Sequence, residues 1–581
     1  LPFSRFSYSR MKLKNKFVPI VILTLVAFFL RVWSIDKNPP SLNWDEVSHG
    51  YNAYSILKTG ADEWGFKFPL IFRAFGDYKL PLYIYLTTIP VALFGLNIFS
   101  IRFISVLAGT LAIPAIYFLT TELFSEKLNL RIKQKKVEIP ASLITAFLLT
   151  FLPWHYFISR PALEANLALT FFLFGLWSLF KAFKNPKFFI PASILLSLTP
   201  HTYNTYRVLT PLFLIIFTIL NFQSLKLKSK LTDRNFLISA TILFISFSLV
   251  IQQSISGVGL ARYQKLAILN EQSVFQIGET RTQSNLPPQI ARLLYNRPLY
   301  FIKEFSKNYL NYFSPQFIYQ AEGAQKQFAI PFKNLFSLPI LILTLIGFFI
   351  TSRQYQQKST QYLLALLFLS PIAAALTQSP PQALRPTPMI IPIIIFATTS
   401  FFAITNIFSS HSWAKSTVSF ILIFSILISF TRYLDTYWDS YRSQNSSSWQ
   451  YGYQQVMEYV GEHQTEYDRI FITKYHGEPH IFYAFFTKLD PYRLQPNKDN
   501  IRFAQSDWFW TDKIDNIFFV NDWQIPAWQK ADTLTLESGG ILSTKNSLII
   551  ASIEHLPSNT EILQLIEDLD GNTTFIVAKF K

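Results

Sequence analysis

Apolar runs long enough to cross a bilayer dominate this chain. A spanning helix needs about 20 predominantly apolar residues. Runs of that kind lie near residues 17–35, 101–124, 139–158, 167–183, 206–222, 235–251, 335–350, 362–377, 388–408 and 416–431, with a weaker one near 187–202. They predict a polytopic α-helical membrane protein with about eleven transmembrane helices. Composition agrees: half of the 581 residues are apolar, 58 are Phe, and only 15% are charged, against about 25% for a soluble chain. The sequence contains no cysteine, so there is no disulfide framework and no thiolate metal site.

Charge sets the expected topology. One further apolar stretch, "KLPLYIYLTTIPVALFG" from Lys79, is ambiguous. If it lies at the interface instead of spanning, then Lys12, Lys14 and Lys16 share a side with "KLNLRIKQKK" (127–136), "KAFKNPK" (181–187), "KLKSKLTDR" (226–234), "RQYQQK" (353–358) and Lys415. Basic loops mark the cytoplasmic side. Residues 1–16 then form a cytoplasmic basic N-terminus, with Met11 a candidate start, and the following run is a retained anchor. Residues 17–434 form the transmembrane part, and residues 435–581 an extracytoplasmic soluble α/β domain. Outside lie loop 36–100, "SRPALEAN", "TPHTYNTYR", loop 252–334 and "TQSPPQALRPTP". The net charge of +17 divides unevenly: residues 435–581 hold 20 acidic and 12 basic side chains, about −8, which leaves about +25 for the rest. The positive charges sit between apolar runs, which argues against nucleic acid as a partner. The final segment alternates helical patterns ("QQVMEYVGEHQ", "EPHIFYAFFTKL") with apolar strands ("RIFITKY", "NIFFVND", "SLIIASIEH", "TTFIVAKF"), as a small α/β domain does.

Just after the first run comes "SLNWDEVSHGYNAYSILKTG", with two adjacent acids, Asp45 and Glu46. Asn43 suits an N-cap, Glu46 three residues on completes a capping box, and Gly60 suits a stop. Capping accounts for Glu46 and leaves Asp45 free at the membrane rim. The other outer loops supply cations near membrane depth: Lys79, Arg160, Arg207 and Arg385, with His201 nearby. Each alone could be a snorkelling or packing residue. As a group on the side where cations are scarce they suit a phosphate, which Arg grips bidentately and Lys as a point charge.

The stretch "WDEVSHGYNAYSILKTG…KLPLYIYL…IRFISVLAG" resembles the opening of the GT-C membrane glycosyltransferases, most of all the protein O-mannosyltransferase and lipid A aminoarabinose transferase branch. In that family the Asp of an outer-loop acid pair is the proposed catalytic base, which corresponds to Asp45. A Lys-Pro-Pro-Leu motif there contacts the donor phosphate; here it reads Lys79-Leu80-Pro81-Leu82, one Pro short. "SRPALEAN" offers Arg160 and Glu164 where the family more often has Arg and Asp. "TYNTYR", with Tyr203 and Arg207, and "PPQALRPTP", with Arg385, resemble outer-loop motifs of bacterial members, and residues 449–486 resemble their periplasmic domain.

The resemblance implies sugar transfer from a polyprenyl-phosphate donor to a lipid, glycan or protein acceptor outside a bacterial inner membrane, with inversion. Asp45 would be the general base and Glu164 a second catalytic acid. Glu46, Lys79, Arg160, His201, Tyr203, Arg207 and Arg385 would hold the donor phosphate and sugar. No cofactor is expected; a divalent metal on Asp45 and Glu164 is conceivable, but two ligands do not make a site. Loop 252–334 reads as a lid whose apolar side runs through Ile290, Leu294, Phe301, Phe305 and Tyr309, or as a packing collar. His49, His476 and His480 are scattered and suit packing. Two other classes compete: an O-antigen ligase or polymerase, which places its key Arg and His in a late large loop, and a lipid-linked-glycan transporter, which favours broken helices and repeats.

Overall fold

The structure, a computed structural model, describes residues 5–124, 127–132, 135–225, 233–256, 266–320, 325–331, 333, 335–378, 381–506 and 508–581. Parts of the basic loops around 125–134 and 226–232, and of the loop expected as a lid, at 257–265 and 321–324, lie outside the described residues, as do the side chains of residues 1–16. The chain divides into two compact units. One comprises Leu1–Trp33 and Ser105–Asp435; the other comprises Ser34–Ile104 and Thr436–Lys581.

The first unit is helical. Across the described chain, six helices are long and apolar enough to cross a membrane: Ile98–Leu123, Glu164–Ala182, Thr205–Phe222, Arg234–Ile255, Thr387–Ile407 and Ser412–Gln444. Shorter apolar helices cover Phe17–Val32, Pro81–Phe94, Ala141–Thr150 and Leu338–Ser352. Several apolar runs that read as single spans are broken, and proline explains the breaks. The 139–158 run is two helices, Ala141–Thr150 and Pro153–Ile158. The 362–377 run is interrupted at Pro371, between Lys358–Leu369 and Ile372–Ala375. A proline has no N–H to continue the ladder and disfavours helix at the residue before it.

Apolar helices gain nothing hydrophobic by packing in lipid, so small residues and internal hydrogen bonds hold them together. Thr145 and Thr398 hydroxyls meet at 2.9 Å between Ala141–Thr150 and Ile390–Ile407. Asn166 Nδ2 donates to the Ser105 carbonyl at 2.8 Å, and Thr170 to that of Ala108 at 2.8 Å. Gly347 lets Leu338–Ser352 reach the backbone of Ile390–Ile407: a Cβ there would stand 1.8 Å from the Phe396 carbonyl oxygen. Within residues 252–334, helices Glu271–Gln283, Pro288–Leu294, Arg297–Asn311 and Pro315–Gln320 form. Arg297–Asn311 buries none of its residues, and Leu299, Ile302 and Leu310 stand exposed.

The second unit joins Ser34–Ile104 to the C-terminal segment Thr436–Lys581. Its seven-stranded sheet runs, in spatial order, Thr560–Glu567, Thr573–Phe580, Ser547–Ala551, Arg469–Thr473, Ile517–Val520, Trp508–Ile514 and Ile501–Gln505. The three central strands are mutually parallel and the edge pairs antiparallel. Every residue of Ile517–Val520 and Ser547–Ala551 is buried, as befits strands covered on both faces. Helix Trp44–Thr59 packs on Pro81–Phe94 and on Pro479–Phe486. Gly50 makes room there: a Cβ would lie 2.5 Å from Ile101 Cδ1 and 3.1 Å from the Phe485 ring. The Tyr51 hydroxyl, fully buried, donates to the Leu489 carbonyl at 3.0 Å.

This packing makes a paired prediction. Gly50→Val overfills the contact and lowers stability by about 1–3 kcal/mol. Gly461→Ala, in the helix Tyr453–His463 with open space at its Cβ, raises it by about 0.5–1 kcal/mol. Thermal melts of the detergent-solubilised protein check both signs.

Candidate active site

The capping box at the start of Trp44–Thr59 forms as the sequence indicates. Asn43 Oδ1 accepts from the Glu46 N–H at 3.0 Å, and Glu46 Oε2 accepts from the Asn43 N–H at 3.3 Å. The first helical N–H, that of Trp44, goes to Gln450 Oε1 at 2.7 Å, while Gln450 Nε2 donates to the His476 carbonyl at 2.6 Å. The C-terminal segment therefore satisfies a donor that the helix start leaves open. The Trp44 ring stacks on Phe75 with centroids 5.6 Å apart, and Phe75 meets the buried His480 edge-on at 6.0 Å.

On this frame Asp45 and Lys79 come together. Lys79 ends the hairpin of Phe72–Ala74 with Asp77–Lys79. Its ammonium donates to Asp45 Oδ1 at 2.8 Å and to the Asp45 backbone carbonyl at 2.9 Å. The lysine side chain is 8% exposed and the aspartate side chain 55%. An ammonium has three donors, and Asp45 occupies two of Lys79's. Among the described residues, Asp45 Oδ2 accepts no hydrogen bond. A carboxylate held by one oxygen and open at the other thus lies beside a cation with a donor to spare.

Glu46 is different. Expected among the donor contacts, it is fully buried, with Oε1 2.9 Å from Arg102 Nε and Oε2 3.1 Å from Arg102 Nη2. Arg102 Nη1 donates to the carbonyls of Ile35 and Pro39 at 2.8 and 3.0 Å, and Nη2 also to that of Ser41. Glu46 therefore fixes the entering loop against its helix and faces no solvent. Arg102, within the quoted "IRFISVLAG", is the partner that sequence reasoning missed; an Arg inside an apolar run was the available signal. Farther along the same segment, burial raises the Asp62 carboxyl to about 6, although backbone N–H groups of Phe66 and Trp64 pull it partly back. Glu63 pairs with Arg502 at 3.0 Å.

The remaining candidates lie in the other unit. Arg160 is fully buried and donates to the carbonyls of Arg31 and Leu30 at 2.9 and 3.3 Å, beside a buried contact of Arg31 with His155 at 3.0 Å. Arginine donors near a helix end can hold the last carbonyls in this way. Glu164, half-buried, is the first residue of Glu164–Ala182. His201 Nε2 lies 3.1 Å from the Ser246 hydroxyl, and Arg207 donates to the Pro200 carbonyl at 3.1 Å and to Gln253 Oε1 at 2.6 Å. Ser246 and Gln253, seven residues apart on Arg234–Ile255, thus steady the turn that carries His201, the half-buried Tyr203 and Arg207. Arg385, half-buried, holds the Thr377 hydroxyl. Among the described residues no group of three or more His, Asp or Glu side chains is gathered as metal ligands are.

No family model and no curated protein matches the chain. Solved structures do. The chain is similar to ArnT from Cupriavidus metallidurans bound to undecaprenyl phosphate, with TM-score 0.51 and 10% identity over 97% of this chain and 98% of that one. The chain shares the fold of that structure. It is also similar to the archaeal oligosaccharyltransferase AglB from Archaeoglobus fulgidus in complex with an inhibitory peptide and a dolichol-phosphate, with TM-score 0.47 and 12% identity over 81% of this chain. A third neighbour is the arabinofuranosyltransferase AftD from Mycobacteria, with TM-score 0.45 and 10% identity over 97% of this chain. The chain spans 63% of the AglB chain and 40% of the AftD chain.

The Glu46–Arg102 pair predicts a large loss on truncation. Arg102→Met leaves a buried carboxylate uncompensated and costs about 3–5 kcal/mol. Adding Glu46→Gln recovers part of that loss, read as the midpoint of thermal unfolding.

Proposed function

We propose that the chain transfers a sugar from a polyprenyl-phosphate donor to a hydroxyl of an acceptor outside the membrane, in a single inverting displacement. The observation that carries this reading is the Asp45–Lys79 pair: a half-exposed carboxylate, open at Oδ2, against a nearly buried ammonium with one donor left. Asp45 Oδ2 takes the proton of the acceptor hydroxyl as its oxygen attacks the anomeric carbon. The bond from that carbon to the phosphate oxygen breaks on the opposite face, so the configuration inverts. The phosphate leaves as an anion and needs no proton from the protein. The third N–H of Lys79 meets a phosphate oxygen as its charge grows.

Arg207 and Arg385 are proposed as further phosphate contacts, His201 and Tyr203 as sugar contacts, and Glu164 as a second acid. Glu46 and Arg160 act as positioning residues. A polyprenyl donor suits a GT-C fold whose solved neighbour ArnT is bound to undecaprenyl phosphate. About eleven spans are proposed, counting the broken and shorter apolar segments, with a cytoplasmic N-terminus, a C-terminal segment outside and a bacterial plasma membrane as the location.

Turnover in nanodiscs with a panel of polyprenyl-phosphate sugars tests the base. Asp45→Asn keeps the shape and removes the base. It should lower kcat at least about 100-fold with donor affinity retained. Equal turnover in both proteins returns Asp45 to the helix cap.

A further inference from the structure

The soluble sheet has a feature that the transferase reading does not use. Its three parallel strands lie side by side, with Arg469–Thr473 in the middle. From that strand the chain runs to helix Pro479–Phe486, on the face where Tyr453 stacks on Phe482 at 4.1 Å and meets Phe575 at 4.9 Å. From the neighbouring strand Ile517–Val520 it runs to the opposite face, where Ile525, Ala531, Leu534 and Leu536 pack on Phe471 and Phe518. Adjacent parallel strands whose outgoing connections part to opposite faces open a crevice at their carboxyl ends, the position at which open α/β sheets hold ligands.

Each of the three loops at that edge gives a side chain to one cluster. Tyr475 follows the middle strand, and its ring centroid lies 5.2 Å from that of His555. His555 follows Ser547–Ala551; its Nδ1 lies 2.9 Å from the Ser552 hydroxyl and its Nε2 3.7 Å from Asp522 Oδ2. Asp522 follows Ile517–Val520. Next to it the Trp523 ring is 68% exposed, and Tyr475 is 47% exposed. Asn521, beside Asp522, is buried with Oδ1 unpaired, and such an atom calls for an explanation.

We propose that this crevice binds a carbohydrate. The exposed Trp523 and Tyr475 rings offer flat apolar faces to the C–H faces of sugar rings. The Asp522 carboxylate accepts from hydroxyls, and the His555 imidazole, oriented by Ser552, bonds them as donor or acceptor. The net charge of about −8 over residues 435–581 turns away polyanions and anionic lipid. A carboxylate and an imidazole at the patch make burial in a bilayer costly. The proposal stands whether or not Asp45 is a base.

The test uses the full chain in nanodiscs, titrated with mannotriose, chitotriose, maltotriose and arabinotriose and followed by saturation-transfer NMR. At least one trisaccharide should bind with Kd near or below about 1 mM. Trp523→Ala and Asp522→Asn should each weaken it at least about tenfold without changing the melting midpoint. Tyr492→Ala, at an aromatic that is 66% exposed elsewhere on the unit, should leave it unchanged. Three outcomes overturn the proposal: no trisaccharide binds, binding is equal in all variants, or brominated lipids quench Trp523, which makes the patch a membrane anchor.

Discussion

The buried Glu46–Arg102 pair is the interaction on which the arrangement around Asp45 depends. Two fully buried charges stand at hydrogen-bond distance, and the arginine spends its remaining donors on three backbone carbonyls of the incoming loop. A buried ion pair of this kind contributes little to net stability, because desolvation offsets the attraction. What it supplies is geometry. With Glu46 turned inward and capped onto Asn43, the preceding residue of the same helical turn must point elsewhere, and Asp45 is half-exposed. Adjacent positions on a helix face different directions, so one acid holds the scaffold and its neighbour remains available for chemistry.

That division shows how far the sequence could be read. The capping box, the stop at Gly60 and most C-terminal elements follow from local patterns, and they form close to where those patterns put them. Patterns fail where identity is set by distant partners. Glu46 reads as a capping-box acid, and nothing local shows that Arg102, 56 residues on, takes both its oxygens. Arg160 reads as an outer-loop phosphate contact, and no local pattern shows that its guanidinium also reaches the carbonyls of Leu30 and Arg31. The strands Ile501–Gln505 and Thr560–Glu567 carry charges and lie at the two edges of the sheet. Edge strands lack the continuous apolar run that marked the central ones. Broken spans were hidden for another reason: hydropathy counts Pro153 and Pro371 within apolar runs, and only backbone geometry says the helix stops there.

The second unit combines pieces far apart in the chain. Gln450 completes the start of the Asp45 helix, Tyr51 reaches the Leu489 carbonyl, and Glu63 pairs with Arg502. Changes in the C-terminal segment therefore bear on the Asp45 turn through a hydrogen bond to the neighbouring residue's N–H. The same sheet presents Tyr475, Trp523, Asp522 and His555 at its parallel carboxyl edge, where Tyr475 adjoins His476, whose carbonyl holds Gln450. One unit thus carries both the proposed reacting pair and a proposed glycan contact.

The central claim is that the Asp45–Lys79 pair receives the donor phosphate through the spare donor of Lys79. The most direct measurement is the dissociation constant of a polyprenyl-phosphate sugar together with its single-turnover transfer rate, for wild type and Lys79→Met. The account predicts donor binding weaker by at least about tenfold, with the transfer rate lowered further at saturating donor. Unchanged affinity and unchanged rate in a folded Lys79→Met protein would contradict it, and would leave the lysine as a tether for Asp45 alone.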